Sequence, residues 1–423
     1  MDTPSSKKIT RRVIEWSERV FKTDMRYLAK AGAWNNLDLI VSSIFSLALY
    51  SILARILPQE VYGNYQYFVS LASLVTATCL TGMNGAVTQS VARGNEGDLR
   101  ASIIVQLKWN IVPFLLASGG AMYYFMNGNH LLAIGLEFIA MLAPLSNTYN
   151  TYSAFLRGKR DFKATFLYNL GYNILYYSVL TTVALTFPSA LALISVNMLV
   201  SAAAMFLLYR RTVRSFKPNQ TTDRSAISYG KHLSLMDAFG SLIAQTDSLL
   251  VFHFLGPIQL AIYSLTTLIP ERAGGFLNFI GTAALPKLAN RTREEVRSTI
   301  LGKVLRVAIA GVVITTLYVF LAPPFFRIFF PKYIDAIPYT LLYSPAILLL
   351  AVSNFSYSAM LAQRLQNELY ATKFIYPAVL ILLQITLITR YGLIGMIAAR
   401  LTADTINIGL SLFFLKRRKE SAQ

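Results

Sequence analysis

Charged residues are scarce in this sequence. They make up 14% of its 423 residues, whereas 55% are hydrophobic. A soluble domain usually carries about 25% charge, so the composition argues against a soluble protein. Several separate apolar stretches reach the roughly 20 residues that a helix needs to cross a ~30 Å hydrocarbon core. One aqueous domain could not bury them all, and the sequence therefore predicts an all-α polytopic membrane protein.

Clustered metal ligands and catalytic signatures are also absent. The sequence has one cysteine, Cys79, and three widely separated histidines, so neither a disulfide framework nor a metal site is predicted. There is no glycine-rich phosphate loop followed by Lys-Ser/Thr and no spacing typical of a catalytic triad. We therefore expect a protein that is not an enzyme and needs no cofactor. Were the protein a transporter, it would lack a site for nucleotide hydrolysis, and its energy would have to come from an ion gradient, the membrane potential or consumption of its product.

The apolar stretches predict twelve membrane spans. Pro345 and Pro377 lie inside two of them, which membrane helices tolerate when neighbouring groups satisfy the freed backbone. The spans are placed near residues 35–57, 64–86, 103–125, 130–152, 165–187, 190–209, 233–254, 259–281, 300–322, 337–361, 373–389 and 391–414.

The net charge of +19 is distributed asymmetrically across these spans. Of 39 Lys and Arg residues, 32 fall in segments on one side, and three, Lys108, Arg272 and Arg400, fall within spans. The opposite loops hold the remaining four: Arg55, Arg327, Lys332 and Arg390. This asymmetry follows the positive-inside rule. It places both termini in the cytoplasm, and it explains the positive charge without a nucleic-acid partner.

Residues 1–32 carry eight basic residues and no continuous apolar run, so no cleavable signal peptide is expected. Four apolar side chains recur there at helical spacing: Ile9, Val13, Trp16 and Val20. Basic residues occupy the other faces. This pattern favours an amphipathic helix lying on the anionic lipids of the inner leaflet. A solvated basic arm is the alternative.

The two halves of the sequence are similar to each other. Tyr152–Leu156 recurs as Tyr357–Leu361 with four of five residues identical, and Leu57–Tyr65 pairs with Leu255–Tyr263 at an offset of 198. Six spans in each half give both halves the same orientation. Transporters use such parallel repeats to expose a central cavity to either side in turn. A duplication without a transport role is the alternative.

The duplication defines the predicted domains. These are a cytoplasmic segment 1–32, a six-helix bundle 33–209, a cytoplasmic linker 210–232, a second six-helix bundle 233–414 and a basic tail 415–423.

The stretch Ala54–Tyr65, Ala-Arg-Ile-Leu-Pro-Gln-Glu-Val-Tyr-Gly-Asn-Tyr, resembles the segment after the first helix of the Wzx-type polysaccharide flippases. These flippases belong to the multidrug/oligosaccharidyl-lipid/polysaccharide (MOP) exporter superfamily. Gly85–Arg93, Arg157–Arg160 and Leu255–Pro257 carry the same resemblance. In the first copy the family's Gly-Pro is displaced, because Pro58 follows Leu57 directly. The resemblance identifies the fold more strongly than the substrate.

The resemblance implies a function. Family members move lipid-linked oligosaccharides, often on undecaprenyl pyrophosphate, from the cytoplasmic to the outer leaflet of the cell inner membrane. Such repeat units serve O-antigen, capsule or exopolysaccharide synthesis. Polysaccharide polymerase and chain-length proteins are the implied protein partners.

Polar stripes occur at equivalent places in the two halves. Asp38, Ser42 and Ser46 lie on one face of span one. The same spacing recurs in span seven at an offset of 199, as Asp237, Ser241 and Gln245. These acids either couple transport to H⁺ or Na⁺, or simply cap their helices. Both interpretations stay open.

Charged residues deeper in the spans indicate a transport pathway, because such groups are costly in a membrane. Arg272 is the main candidate for binding an anionic head group. The alternative is a structural ion pair between Arg272 and Asp247. Asp247, Glu271 and Glu137 are candidate acids for ion coupling or for the wall of a cavity. Arg400 and Asp404 are four residues apart and are interpreted as a pair within one helix.

Three further basic residues are weaker head-group candidates: Lys108, Arg306 and Arg55. Spans four and five carry residues that could contact sugars, namely Asn150, Tyr168, Tyr172 and Asn173. Hydrogen bonding between helices is the alternative role for these four side chains.

Three functional classes remain open. The first is a flippase for lipid-linked oligosaccharides. The second is a cation-coupled multidrug antiporter of the same superfamily, which would favour acidic and aromatic cavity walls. The third is a scaffold for polysaccharide assembly that transports nothing, for which the charges inside the spans would have no explanation.

Overall fold

The computed structural model describes residues 25–289 and 291–416. The interfacial helix predicted around residues 9–20 and most of the basic tail lie outside these residues. The helices of the first half are α1 (Met25–Ile56), α2 (Gln59–Ala77), α3 (Met83–Ala92), α4 (Asp98–Trp109), α5 (Ile111–Met126), α6 (His130–Tyr149), α7 (Thr151–Gly158), α8 (Phe162–Thr186) and α9 (Ala190–Phe216). Those of the second half are α10 (Arg224–Ala244), α11 (Thr246–Ala289), α12 (Arg293–Phe329), α13 (Ala336–Tyr343), α14 (Ala346–Ala362) and α15 (Gln366–Lys416). A short 3-10 helix, Pro331–Tyr333, follows α12.

Eight segments of the described chain are long and apolar enough to cross a membrane. Two of them, Arg224–Gly274 and Gln366–Lys416, have 51 residues each, which is more than twice the length that one crossing needs. The first is interrupted at Gly256 (φ 84°, ψ −179°) and the second at Gly392 (φ 56°, ψ −133°). Glycine adopts such positive-φ conformations at little cost. Each interruption lies at or within two residues of a predicted boundary between spans, so each segment accounts for two predicted spans.

Predicted spans two and five also correspond to helices. Helix α2 has 19 residues and α8 has 25. Neither is among the eight segments, since both are rich in Tyr, Asn, Ser and Thr, which lower the mean hydropathy. The all-α polytopic fold is therefore confirmed, and the span prediction had included both of these more polar helices.

The chain forms two compact units. Among the described residues, the first comprises the chain from residue 25 to Ile52 together with Ala72–Gly240, and the second comprises Leu53–Leu71 together with the described chain from Ser241. The predicted division placed 33–209 in one bundle and 210–232 in a cytoplasmic linker between the bundles. The structure differs in two respects: residues 53–71 belong to the second unit, and the linker belongs to the first.

Residues 53–71 join the second unit through hydrogen bonds at the end of α12. Nε of Arg55 donates to the carbonyl oxygen of Phe329 at 3.3 Å, and Nε2 of Gln59 donates to the carbonyl oxygen of Lys332 at 2.7 Å. In return, Nζ of Lys332 donates to the carbonyl oxygen of Ile56 at 3.2 Å. These bonds satisfy carbonyl groups that helix ends leave unpaired. Hydropathy alone does not reveal such contacts, so a domain boundary predicted from it misses them.

Helix α2 also lies close to α11 within the second unit. A Cβ atom added to Gly63 would collide with the backbone carbonyl of Pro257, so only glycine allows this approach. The rings of Tyr67 and Phe252 are stacked, with centroids 3.7 Å apart. Packing of α2 against α11 is the second reason why this segment belongs to the second unit.

The linker joins the first unit through the loop before α4. Nδ2 of Asn219 donates to the carbonyl oxygen of Gly94 at 2.9 Å, and the backbone N–H of Glu96 donates to Oδ1 of Asn219 at 3.1 Å. The N–H of Gly97 donates to the carbonyl oxygen of Thr221 at 3.0 Å. The linker is thus a fixed part of the first unit.

The duplicated motif occupies the core of each unit. Ala154 and Phe155 are buried among Met83, Val87 and other side chains of the first core. Their counterparts Ala359 and Met360 are buried in the second core. The repeat therefore reflects equivalent packing positions.

Candidate functional site

The carboxylate of Asp247 lies in the interior of the second unit, with 5% of the residue exposed. The hydroxyl of Tyr263 donates to its Oδ2 at 2.7 Å, and Nε2 of Gln384 donates to its Oδ1 at 2.5 Å. Nη1 of Arg400 forms an ion pair with the same Oδ2. Three donors therefore converge on one buried acid, as a charge removed from water requires.

The two glycine interruptions make this convergence possible. Asp247 and Tyr263 are 16 residues apart, which in a continuous helix would separate them by about 24 Å at 1.5 Å per residue. The break at Gly256 reverses the chain and brings the two side chains together. In α15, Gln384 precedes the break at Gly392 and Arg400 follows it, yet both reach Asp247.

Arg400 also lies near Asp404, with Nε 3.9 Å from Oδ2. The hydroxyl of Tyr376 donates to Oδ1 of Asp404 at 2.8 Å. Neither Arg400 Nε nor Asp404 Oδ2 has a hydrogen-bond partner among the described residues, although both atoms are buried. The predicted pair of Arg400 and Asp404 within one helix is therefore found, but it does not satisfy Arg400 alone, because the closer partner of Arg400 is Asp247 on another helix.

Glu271 adds a third acid to this group. It lies within electrostatic range of Arg400, Asp247 and Asp404, and near the buried hydroxyl of Tyr343. The residue keeps exposed surface, although many protein atoms surround its carboxylate. Three carboxylates and one guanidinium leave two negative charges uncompensated when all are ionised. Such uncompensated charge is costly away from water. We call these four residues the Asp247 cluster.

Arg272, the main head-group candidate, is half-buried next to this cluster in sequence. Among the described side chains none forms an ion pair with it, so the alternative Arg272–Asp247 pair is not found. Lys108, Arg306 and Asp237 are exposed. No contact of these three with the Asp247 cluster is found within the described residues.

The other candidate charges have local partners. Glu137 accepts a hydrogen bond from the hydroxyl of Ser118 at 3.2 Å. Arg55 donates to two carbonyl groups in the last turn of α12, those of Ile328 and Phe329. This geometry assigns the Arg55 side chain a structural contact and leaves its head-group role a prediction.

In the first unit, the polar stripe of α1 faces two asparagines of α8. Nδ2 of Asn169 donates to Oδ2 of Asp38 at 2.9 Å. One turn further along, Nδ2 of Asn173 donates to Oγ of Ser42 at 3.0 Å. Hydrogen bonding between helices, the alternative given for these amides, is therefore the geometry found for Asn173.

The remaining candidates for sugar contacts have other partners or positions in the first unit. The hydroxyl of Tyr172 is 3.1 Å from that of Ser201 on α9. The guanidinium of Arg211 lies 5.4 Å from the ring centroid of Tyr168, within the range of a cation–π contact. Asn150 is half-buried at the junction of α6 and α7. These contacts leave the sugar-binding role of the four residues a prediction.

Sequence reasoning missed Gln384, Tyr263 and Tyr376 as members of the site. Gln384 had a usable signal, since it is a polar side chain in the apolar stretch 373–389. The tyrosines had none, because 24 tyrosines are spread through the sequence.

A model of the family described as polysaccharide biosynthesis protein matches residues 28–290. No curated protein sequence matches the chain significantly. Among solved structures, the inward-facing form of a multidrug resistance MATE family transporter of the MOP superfamily aligns with a TM-score of 0.69. It is 12% identical, and the alignment covers 93% of this chain and 100% of that one.

Two further structures share the fold. The lipid II flippase MurJ, in its inward closed conformation, aligns with a TM-score of 0.62 at 13% identity, over 90% of this chain and 87% of that one. A MOP superfamily transporter from Pyrococcus furiosus aligns with a TM-score of 0.60 at 13% identity, over 93% and 96%. At such identities these structures establish the fold alone. The family model covers more than half of the 423 residues, and the chain therefore belongs to the polysaccharide biosynthesis protein family, on the fold of the MOP superfamily transporters.

Proposed function

We propose that the chain is a flippase that moves a lipid-linked oligosaccharide from the inner to the outer leaflet by alternating access. Undecaprenyl pyrophosphate is the proposed lipid carrier. The polysaccharide biosynthesis family supplies the glycan part of this proposal, and the transporter fold supplies the movement. The inner membrane is the proposed location, with both termini cytoplasmic. Polysaccharide polymerase and chain-length proteins are the proposed partners.

The Asp247 cluster is the observation that carries the transport role. A scaffold without transport has no need for three acids and one guanidinium inside a membrane domain, since such groups are costly there. A transporter does need them, because a group that binds a cation differently in two states can bias the equilibrium between those states.

The proposed coupling ion is H⁺ or Na⁺. Asp247 is the acid that holds Arg400, whereas Glu271 and Asp404 carry the charge that Arg400 leaves uncompensated. Glu271 is exposed and can exchange a cation with the surrounding space, while Asp404 has a buried oxygen without a hydrogen-bond partner among the described residues. Cation uptake would thus occur at Glu271 and Asp404, with Asp247 keeping the cluster in place.

Arg272 is the proposed ligand of the pyrophosphate. Its guanidinium is half-buried, and no ion pair within the described chain occupies it. Guanidinium groups form charge-assisted, often bidentate bonds with phosphate oxygens. Lys108 and Arg306 are exposed basic residues that could assist, and Arg55 could do so only by leaving the carbonyl groups it now contacts.

A cation-coupled multidrug antiporter is the second candidate function. The observation that favours it is the excess of acids in the Asp247 cluster, which suits a cationic substrate as well as a coupling ion. The two candidates differ in the charge of what they carry.

Reconstituted vesicles separate these functions. Purified wild-type protein should move an undecaprenyl-pyrophosphate-linked oligosaccharide to the opposite leaflet, measured by accessibility to a membrane-impermeant glycosidase. Arg272→Ala should abolish this movement at normal abundance. Arg272→Lys should keep part of it, because the charge survives and the bidentate geometry does not.

The outcomes are distinct. Wild-type flux in Arg272→Ala rules out the head-group role. If the wild type leaves the glycolipid in place but extrudes a cationic dye against a proton gradient, the antiporter is correct. If the wild type moves neither substrate, the scaffold is the function that remains. A wild-type flux that ignores every imposed pH and sodium gradient excludes ion coupling.

A further inference from the structure

A cavity of about 480 Å³ opens in the first unit, at the end predicted to be cytoplasmic. It lies between the end of α3 and the start of α10, and we call it the α3–α10 groove. Its lining residues are Ala86, Gln89, Ser90, Arg93, Asp223, Ser225, Ala226 and Tyr229. The first four of these residues belong to the motif Gly85–Arg93, for which the transport mechanism above gives no role.

Small residues let the two helices pack closely beside the groove. A Cβ atom added to Gly230 would lie 3.2 Å from Cβ of Ala86, so α10 approaches α3 closely at this level. A Cβ atom added to Gly82 would collide with the backbone of Leu233 and Ser234. The close packing anchors the base of the groove, while Ala86 and Ala226 keep its floor free of large side chains.

Asp98 fixes both walls of the groove. Only 1% of this residue is exposed. Its carboxylate accepts a hydrogen bond from the hydroxyl of Ser90 on one wall. From the other wall the backbone N–H of Asp223 donates to both of its oxygens, at 3.2 Å and 3.1 Å. A buried acid that bridges two walls holds a binding surface in one geometry before any ligand arrives.

The charges on the groove favour a neutral ligand. Arg93 and Asp223 provide one charge of each sign. Hydrogen bonds from Ser225, followed by the nearby charge of Arg93, lower the pKa of Asp223, so this side chain is ionised at neutral pH. A phosphate would meet the carboxylate of Asp223 next to the guanidinium of Arg93, whereas hydroxyl groups can donate to the first and accept from the second.

We propose that the α3–α10 groove binds a saccharide. Arg93, Asp223 and Gln89 present planar donors and acceptors to sugar hydroxyl groups, and Tyr229, 45% exposed, presents a ring on which a sugar can pack. The volume falls in the range of roughly 300–1,000 Å³ that is typical of small-ligand sites. The inference rests on the proposed function, since it assigns the glycan of the flippase substrate a docking site on the first unit.

The test measures binding to the purified full chain by isothermal titration calorimetry. The first probe is the neutral oligosaccharide released by mild acid from the lipid-linked pool of the host cell. The second probe is inorganic pyrophosphate. We expect the oligosaccharide to bind and Tyr229→Ala to weaken it about tenfold, as the loss of an aromatic contact predicts. Tyr229→Phe should bind like the wild type. Tyr370→Ala removes a similarly exposed tyrosine, 55%, of the second unit and should also leave binding unchanged.

Several results overturn the proposal. They are the absence of oligosaccharide binding by the wild type, binding of pyrophosphate in place of the sugar, and equal binding by Tyr229→Ala and Tyr370→Ala. Thermal stability of each variant shows whether it is folded, and Gln89→Ala provides a second test of the groove if Tyr229→Ala is not. The flux assay stays independent of this result. Normal flux without oligosaccharide binding refutes the groove alone, and tyrosine-dependent binding without flux refutes the flippase alone.

Discussion

The two units solve the problem of a polar interior in different ways. In the first, Asp38 and Ser42 are joined to Asn169 and Asn173 by neutral amide donors. In the second, the buried acid is bound by a guanidinium. Breaking an amide contact between membrane helices costs little, whereas removing one partner of a buried ion pair leaves an unpaired charge. The second unit is therefore where electrostatics controls the fold most strongly.

The sequence explains this difference. Asp237 is the counterpart of Asp38 at an offset of 199 and is exposed. At the offset of 205 that relates Tyr152 to Tyr357, the positions of Asn169 and Asn173 are taken by Phe374 and Ala378. Neither side chain can donate a hydrogen bond to an acid. The second half thus has no amide at these two positions and carries a deeper acid, Asp247, with its own partner.

The largest loss of stability is expected when the ion pair between Arg400 and Asp247 is broken. Arg400→Met leaves Asp247 buried without its positive partner, and we expect a loss of about 3–5 kcal/mol of stability. The measurement is thermal unfolding of the purified protein in detergent. Adding Asp247→Asn to Arg400→Met should restore most of the loss, because the buried charge is then gone.

Arg306→Met is the matched control, since Arg306 is an exposed arginine of the same unit. Its effect should stay within roughly 0.5 kcal/mol. If Arg400→Met and Arg306→Met lose the same stability, the contrast drawn between the two units does not hold.

The next largest loss of stability is expected where two helices pack closely. Gly63→Ala places a methyl group against the carbonyl of Pro257 in the second unit, at an expected cost of about 1–3 kcal/mol. Gly119→Ala, in α5 of the first unit, meets no atom within 4 Å. It should keep or slightly raise the melting temperature, because alanine favours a helix over glycine. Equal melting temperatures for the two variants would contradict the assignment of residues 53–71 to the second unit.

The hydrogen bonds from the α8 asparagines to α1 should contribute less to stability. Asn173→Ala removes one hydrogen bond between α8 and α1, for which about 0.6 kcal/mol, and at most about 1.7, is expected. A double-mutant cycle with Ser42→Ala isolates the contact, and its coupling energy should match the single loss. A loss as large as that of Arg400→Met would show that the first unit is also controlled by its polar pairs.

The smallest effect is a pH dependence in the loop before α4. The hydrogen bond from Lys159 lowers the pKa of Glu96 below its ordinary value of 4.5, with a further contribution from the N–H of Asn219. The stabilisation is therefore present above about pH 4.5 and lost as the pH falls through the lowered pKa. Because the pair is partly exposed, we expect less than about 1 kcal/mol.

Comparing the melting temperature of the wild type with that of Glu96→Gln at pH 6 and below pH 4 measures this contribution. The difference should shrink on acidification. A difference that stays constant with pH would mean that the ion pair with Lys159 does not anchor this loop.

Much of the fold could be predicted because each span is a local property. Length and hydropathy locate an apolar helix without knowledge of its neighbours, and the predicted span boundary between residues 254 and 259 contains the break at Gly256 in α11. The stripe on α1 was visible in the sequence, and Asn173 on α8 was singled out as a candidate residue. The contact between Asn173 and Ser42 of that stripe was not predicted.

The partner of Arg400 could not be predicted in this way. Asp404 lies four residues away, which satisfies the local rule for a helical ion pair. Asp247 is 153 positions distant, and it meets Arg400 only because two broken helices fold back beside each other. The Asp247 cluster is therefore a product of tertiary structure, for which sequence spacing carries no signal.

The burial of Cys79 makes the natural chain suitable for chemical labelling. This residue is the single cysteine, only 2% of it is exposed, and its thiol faces the carbonyl oxygen of Val75 at 3.5 Å. A membrane-impermeant maleimide should therefore leave the folded wild type unmodified. Any cysteine introduced at a loop or a terminus would then be the sole reactive thiol, so the side of the membrane on which each segment lies can be mapped without first altering the protein.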